Sequence, residues 1–125
     1  MDQITNAQSA FHQLKPHFNP DCEEFWLLTL NTQLCILNAT LLSRGTLNFC
    51  LVHPRDLFRK ALLDNAYQII IAHNHPSLCV SPTPEDIRLT KRLKRISKLV
   101  EIPIIDHIIF SKENYYSFKE NNLVF

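Results

Sequence analysis

Glycine is almost missing from this chain: Gly45 is the only one among 125 residues. Walker A loops and dinucleotide fingerprints each need several glycines at fixed spacing, so neither can be written here. There is no charge excess either. A formal net charge of +1 argues against a protein built chiefly as a nucleic-acid-neutralising surface. No apolar run is long enough for a membrane span, and the start (Met1-Asp-Gln-Ile-Thr-Asn6) lacks the basic and apolar regions of a secretory leader. The expectation is a soluble, cytoplasmic protein with no membrane partner. Cysteine pairs are missing as well. Cys22, Cys35, Cys50 and Cys79 form no C-x-x-C unit, and Cys35 and Cys50 read as small buried hydrophobes. Cys79 lies four residues after His75, where a fourth thiolate ligand would make a zinc site closed and structural.

What is present suits one packed domain. Apolar residues are 46% of the chain and charged residues 20%, and nothing resembling a linker or repeat divides it. We expect a single complete domain over 1–125, with an N-terminal helix and turn in 1–20 and the core in 21–125. Ala7, Ala10, Phe11 and Leu14 predict a short amphipathic helix ended by Pro16. Apolar runs predict strands over 23–30, 34–42 and 47–52, the first of them covered on both faces. Pro54 and Asp56 open a helix carrying Leu57, Phe58, Ala61 and Leu62 on one face. Ile69, Ile70 and Ile71 belong to a strand over 67–72. A second helix over 84–100 has Ile87, Leu89, Leu93, Ile96 and Val100 inward. Its outer face is basic: Arg88, Lys91, Arg92, Lys94, Arg95 and Lys98. A strand over 102–110, interrupted by the polar pair Asp106-His107, and a short strand or coil in the tail complete the chain. Hairpins mixed with helices predict an α/β fold, a mixed β-sheet flanked by helices.

The chemistry-bearing residues lie mainly between 73 and 86. On an extended chain His73 and His75 point to one face, since the side-chain period is two. With Asp86 at the start of the next helix they make three ligands, the number in a catalytic zinc site that keeps one position for water. Each residue also has a plain structural reading. An H-x-H pair can simply end a strand, and Thr83-x-x-Asp86 is a capping box in its own right. At the start of the first strand, Glu23 and Glu24 point to opposite faces. One can face a site as the non-ligand carboxylate that hydrolysis needs, while the other, more naturally Glu24, faces water.

Glu23, then His73-x-His75, seven residues, Thr83, two residues and Asp86 resembles the JAMM motif of the JAB/MPN metallopeptidase superfamily. The flanks resemble the RadC-like JAB domains: Glu23-Glu-Phe25, Arg44-Gly45-Thr46, Val52-His-Pro-Arg55, Ala72-His-Asn-His-Pro-Ser77, Glu85-Asp86-Ile87 and Asp106-His107-Ile-Ile109. The resemblance spans roughly residues 20–120. It implies a cytidine-deaminase-like α-β-α sandwich and one Zn2+ per chain on His73, His75 and Asp86, with water in the fourth position. It also implies Glu23 as general base, Thr83 stabilising the oxyanion, and hydrolysis of a peptide or isopeptide bond in a protein substrate. Two positions depart from the pattern: Thr83 stands for the usual serine, and Leu78 for the glycine after His-Pro-Ser. Both bear on turnover more than on metal binding. The helical DNA-binding segment of longer RadC proteins does not precede the domain in this sequence. The RadC name carries a DNA-repair association, which makes nucleic-acid contact through the basic helix 88–98 one alternative. A catalytically silent scaffold is another, and assembly as a homo-oligomer is compatible with the sequence.

Overall fold

The computed structural model describes residues 2–45 and 52–125. Its elements are α1 (Ala7–Leu14), β1 (Glu24–Leu30), β2 (Ile36–Arg44), α2 (Pro54–Leu63), β3 (Gln68–Asn74), α3 (Pro84–Val100), β4 (Ile104–Phe110) and β5 (Tyr115–Ser117). The strands form one mixed sheet in the order β2-β1-β3-β4-β5. β3 and β4 run parallel through the α3 crossover, and the other neighbours are antiparallel. The expected α/β architecture is therefore present.

Side-chain alternation on the central strands divides the core into two layers. Leu28, Leu30, Ile70, Ala72, Ile108 and Phe110 turn to one face and pack with Ala7, Ala10, Phe11 and Leu14 of α1. Phe25, Leu27, Ile69 and Ile71 turn to the other and pack with Leu57, Phe58 and Ala61 of α2 and Leu93 of α3. Burying each such side chain contributes about 1.5–3 kcal/mol, and slipping a strand by one residue would reverse both layers. That cost fixes the register, and the register sets which polar side chains follow the α2–α3 face.

The α1 helix stops at Leu14, in keeping with the stop expected at Pro16, which a 3-10 turn over Lys15–His17 accommodates. Several other expectations need correcting. The strand expected over 47–52 falls outside the described residues except for Val52, which is buried outside any strand. Asp106 and His107 do not interrupt β4: both are buried within it. Glu24 is not a solvated strand end; it is 3% exposed and takes a salt bridge of 2.6 Å from Arg44. Cys35 is half-buried rather than buried. On α2, Leu62 is exposed. On α3 the buried residues are Thr90, Leu93 and Ser97, while Val100 at the helix end is exposed. Two small hydroxyl residues thus replace large apolar ones where the helix lies closest to the sheet, and Thr90 has a further use described below.

The scarcity of glycine leaves a mark on the turns. Leu34, Asn65, Glu101, Asn122 and Val124 all have left-handed φ values between 53° and 70°. A residue with a Cβ costs roughly 1–2 kcal/mol there, so local bonds must hold these turns. In the β1–β2 turn, Asn31 Oδ1 accepts from the amides of Gln33 and Cys35. The segment before α1 then seals the hairpin end, with Ile4 N donating to Leu34 O and Ile36 N to Asp2 O.

Candidate metal centre

β3 carries His73 within the strand and His75 one residue past its end, where the His75 amide still donates to Phe110 O of β4 at 2.9 Å. The extended path therefore continues through both histidines, which keeps their side chains on the α2–α3 face. α3 begins above that strand end and returns Asp86. The three side chains converge: His73 Nε2 is 3.1 Å from His75 Nε2 and 3.3 Å from Asp86 Oδ1, and His75 Nε2 is 3.5 Å from Asp86 Oδ2. His73 and His75 are buried and Asp86 is half-buried.

Asp86 serves both readings that its sequence position allows. Its Oδ2 accepts from the Thr83 amide at 2.9 Å while its own amide donates to Thr83 Oγ1 at 3.2 Å, a complete capping box. The same carboxylate faces both imidazoles. The cap is what aims it, because a side chain bonded back to the helix start has little rotamer freedom left. Burial alone would raise its pKa, but the bonds to His73 and His75, the charge on His73 and the Thr83 amide hold it far below the ordinary carboxylate range. Burial opposes charge on His75 too. There the Asp86 carboxylate, the Cys79 carbonyl and the charge on Glu23 prevail, and the imidazole titrates above its ordinary value.

The donor set fits a zinc ion. His75 Nδ1 is 3.0 Å from the Cys79 carbonyl, which can only accept, so that nitrogen carries a proton, and in the neutral ring Nε2 offers a lone pair. A ring nitrogen and a carboxylate packed this closely are held by a shared proton or by a metal ion between them. Two ligands each about 2.0–2.1 Å from a tetrahedral zinc stand roughly 3.3 Å apart, and the three spacings observed are 3.1, 3.3 and 3.5 Å. Cys79 contributes its carbonyl and not its thiol: among the described residues the group that could hold a metal is His73, His75 and Asp86. The group is thus open rather than closed.

Glu23 stands just before β1. The antiparallel ladder with β3 ends at the Phe25–His73 pair, two residues after Glu23, and the charge on Glu23 reaches the His75 ring. The Glu23 backbone is held from two sides. Gly45 N donates to Glu23 O at 2.8 Å. On the other side Asn74, fully buried, accepts from Glu24 N at 2.6 Å and donates to the carbonyls of Asn19 and Cys22 at 2.7 and 3.0 Å. Thr83 and Leu78 are both exposed, Leu78 by 73%.

Two residues near the centre have no part in the motif. His107, fully buried, lies 2.9 Å from His73 Nδ1 through its Nε2 and 2.6 Å from Thr90 Oγ1 through its Nδ1. Burial, with the neighbouring histidines, holds its pKa well below the ordinary imidazole value. In the sequence His107 showed only as half of a polar pair inside an otherwise apolar strand and as part of a family-like flank, with no role attached. A groove of about 770 Å3 lies elsewhere, on the α1 face beside Ile70, Ile105 and Asp106. Donor chemistry, not cavity size, locates the centre.

The model of the RadC-like JAB domain matches residues 4–123. The chain belongs to that family. Its relatives include UPF0758 proteins of Pelodictyon phaeoclathratiforme, 41% identical over 98% of this chain and 55% of the relative, and of Desulforudis audaxviator, 44% identical over 82% of this chain and 45% of the relative. The UPF0758 protein of Chlorobium chlorochromatii is 40% identical over 82% of this chain and 46% of its own length. The chain spans about half the length of these relatives. No helix among the described residues is long and apolar enough to cross a membrane.

Proposed function

We propose that this RadC-like JAB domain is a zinc-dependent hydrolase of peptide or isopeptide bonds in protein or peptide substrates. One observation carries the reading: His73 Nε2, His75 Nε2 and the Asp86 carboxylate converge at tetrahedral-edge spacings of 3.1–3.5 Å. When bound there, zinc supplies Lewis acidity that brings a water's pKa towards neutrality. Glu23 is the general base, taking a proton from the attacking water and returning it to the leaving nitrogen. Its support is its place two residues before the Phe25–His73 pair, the charge it exerts on the His75 ring, and the Asn74 clamp on its segment. Thr83 Oγ1 accepts from the Asp86 amide, which leaves its hydroxyl proton free to donate to the oxyanion that develops at the scissile carbonyl.

The test is metal content followed by cleavage. Purified protein should hold one zinc per chain, removed by a chelator and restored by zinc alone. Against a peptide library, Glu23→Gln should lose about 10²–10⁴-fold in rate with zinc still bound. A folded protein without metal would sink the reading. Zinc retention with wild type and Glu23→Gln equally inert would leave a binding scaffold. A nucleic-acid role has one specific support, the exposed Lys91, Arg92, Arg95 and Lys98 on α3. It would show as salt-dependent DNA binding abolished by replacing Arg92 and Arg95; Lys94 is instead tied to the tail through Val124 O and the Phe125 ring.

A further inference from the structure

The two proposed histidine ligands have their protons placed by different means. For His75 a carbonyl does it directly. For His73 the partner of Nδ1 is another imidazole, His107, at 2.9 Å, and an imidazole nitrogen can donate or accept. Whether His73 Nε2 is a bare lone pair or an N–H depends on which way that bond runs.

The direction follows from the far end of the chain. Thr90 Oγ1 lies 2.7 Å from the carbonyl oxygen of Asp86, one helical turn earlier. A carbonyl only accepts, so the hydroxyl spends its one proton there. Thr90 Oγ1 then meets His107 Nδ1, at 2.6 Å, as an acceptor, and His107 must carry its proton on Nδ1. His107 is fully buried among aromatic rings, stacked on Phe118 at 4.5 Å and edge-on to Phe25 at 6.0 Å. That cage favours the neutral ring and leaves no room to turn it over. With its proton on Nδ1, His107 Nε2 accepts, and His73 donates from Nδ1.

We infer that Thr90 and His107 are positioning residues that fix the neutral form of His73 as its Nδ1–H tautomer, so that when the ring holds a single proton it is Nε2 that stands bare towards His75 and Asp86. The relay begins at the peptide carbonyl of Asp86 and ends on His73, so it also binds the first turn of α3 to β4 and β3. It explains why Thr90, rather than a larger apolar residue, occupies a fully buried position on α3. The consequence for metal rests on His73 being a ligand; the tautomer itself does not.

The experiment separates the two. Long-range 1H–15N NMR of the metal-free protein at about pH 9, where histidine is largely neutral, reads the tautomer of each ring. Wild type should show His73 as Nδ1–H. In Thr90→Val, which keeps the shape and removes the hydroxyl, His107 is free to carry its proton on Nε2 and donate to His73, whose Nε2–H form should then appear. Zinc affinity by chelator competition should fall about 10–100-fold. His107→Leu removes the acceptor altogether and should mix the His73 tautomers. His107→Gln, whose amide oxygen can accept from His73 Nδ1, should restore the wild-type tautomer and most of the affinity. A purely structural role would lower the melting temperature of Thr90→Val without moving its tautomer. That result, or an Nε2–H signal for His73 in wild type, overturns the inference. If the tautomers behave as stated and wild type binds no zinc, the relay stands and the proposed function falls.

Discussion

Replacing Asn74 by alanine should damage the protein in a way that separates its stability from its metal site. Asn74 is fully buried at the end of β3 and makes three bonds with one amide group, to Glu24 N, Asn19 O and Cys22 O. Each such bond contributes about 0.5–1.5 kcal/mol net, and a buried group left without a partner costs about 1–3 kcal/mol. Asn19 and Cys22 are half-buried, so their carbonyls can turn to water; the buried Glu24 amide cannot. The expected loss is therefore about 2–4 kcal/mol, below the full sum. For a domain of this size that lowers the melting temperature by roughly 8–16 °C. Thermal and urea unfolding of the zinc-free variant measure it. The clamp holds the segment carrying Glu23 and makes no contact with the imidazoles, so cleavage should fall more than zinc affinity does. A loss under about 1 kcal/mol, or an affinity that falls as far as the rate, would refute the reasoning.

Glu101, with φ of 58° at the C-terminal cap of α3, should be improved by glycine. Glu101→Gly removes the left-handed strain at some cost in chain entropy, for a net gain of about 0.5–1 kcal/mol in urea unfolding. Burial raises the Asp106 carboxyl against bonds from Ser117, Lys119 and His107. A raised acid keeps its proton in the folded state after the unfolded chain has lost it. Its contribution is complete below about pH 3.9 and is lost as pH rises through the folded value. The stability difference between wild type and Asp106→Asn, followed from pH 3 upward, should shift against wild type across that interval; a constant difference would count against the assignment. Chelation should destabilise the zinc-loaded protein by about 4 kcal/mol when free zinc had been a thousandfold above Kd, read as a drop in melting temperature.

The three candidate ligands were legible because their chemistry repeats at short spacing. His73-x-His75 needs only an extended chain to share a face, and Thr83-x-x-Asp86 needs only a helix start. Whether Asp86 caps or ligates could not be read from position, since both uses demand the same place; in the fold it caps α3 and turns the same carboxylate to both imidazoles. Glu24 was misread because a pair of acids at a strand start gives no sign of Arg44 twenty residues away, whose charge permits Glu24 to be buried. Val100 and Leu62 were placed inward by helical period, yet both are exposed in the last turns of α3 and α2. Periodicity gives the direction of a face but not how far its partner extends.

From sequence alone, then, came the α/β class, the helix and strand order over the described residues, the three candidate ligands and the family. Each rests on local pattern: hydrophobic period, caps, and motif spacing within one segment or between two. Only the tertiary structure could decide that Asn74 clamps the approach to Glu23 and that His107 and Thr90 stand behind His73. Those bonds join residues 17 to 55 positions apart. Hydrogen bonds depend on fractions of an ångström and on direction, which no spacing along the chain specifies. The sheet register supplies them, and two-sided packing of the sheet sets that register.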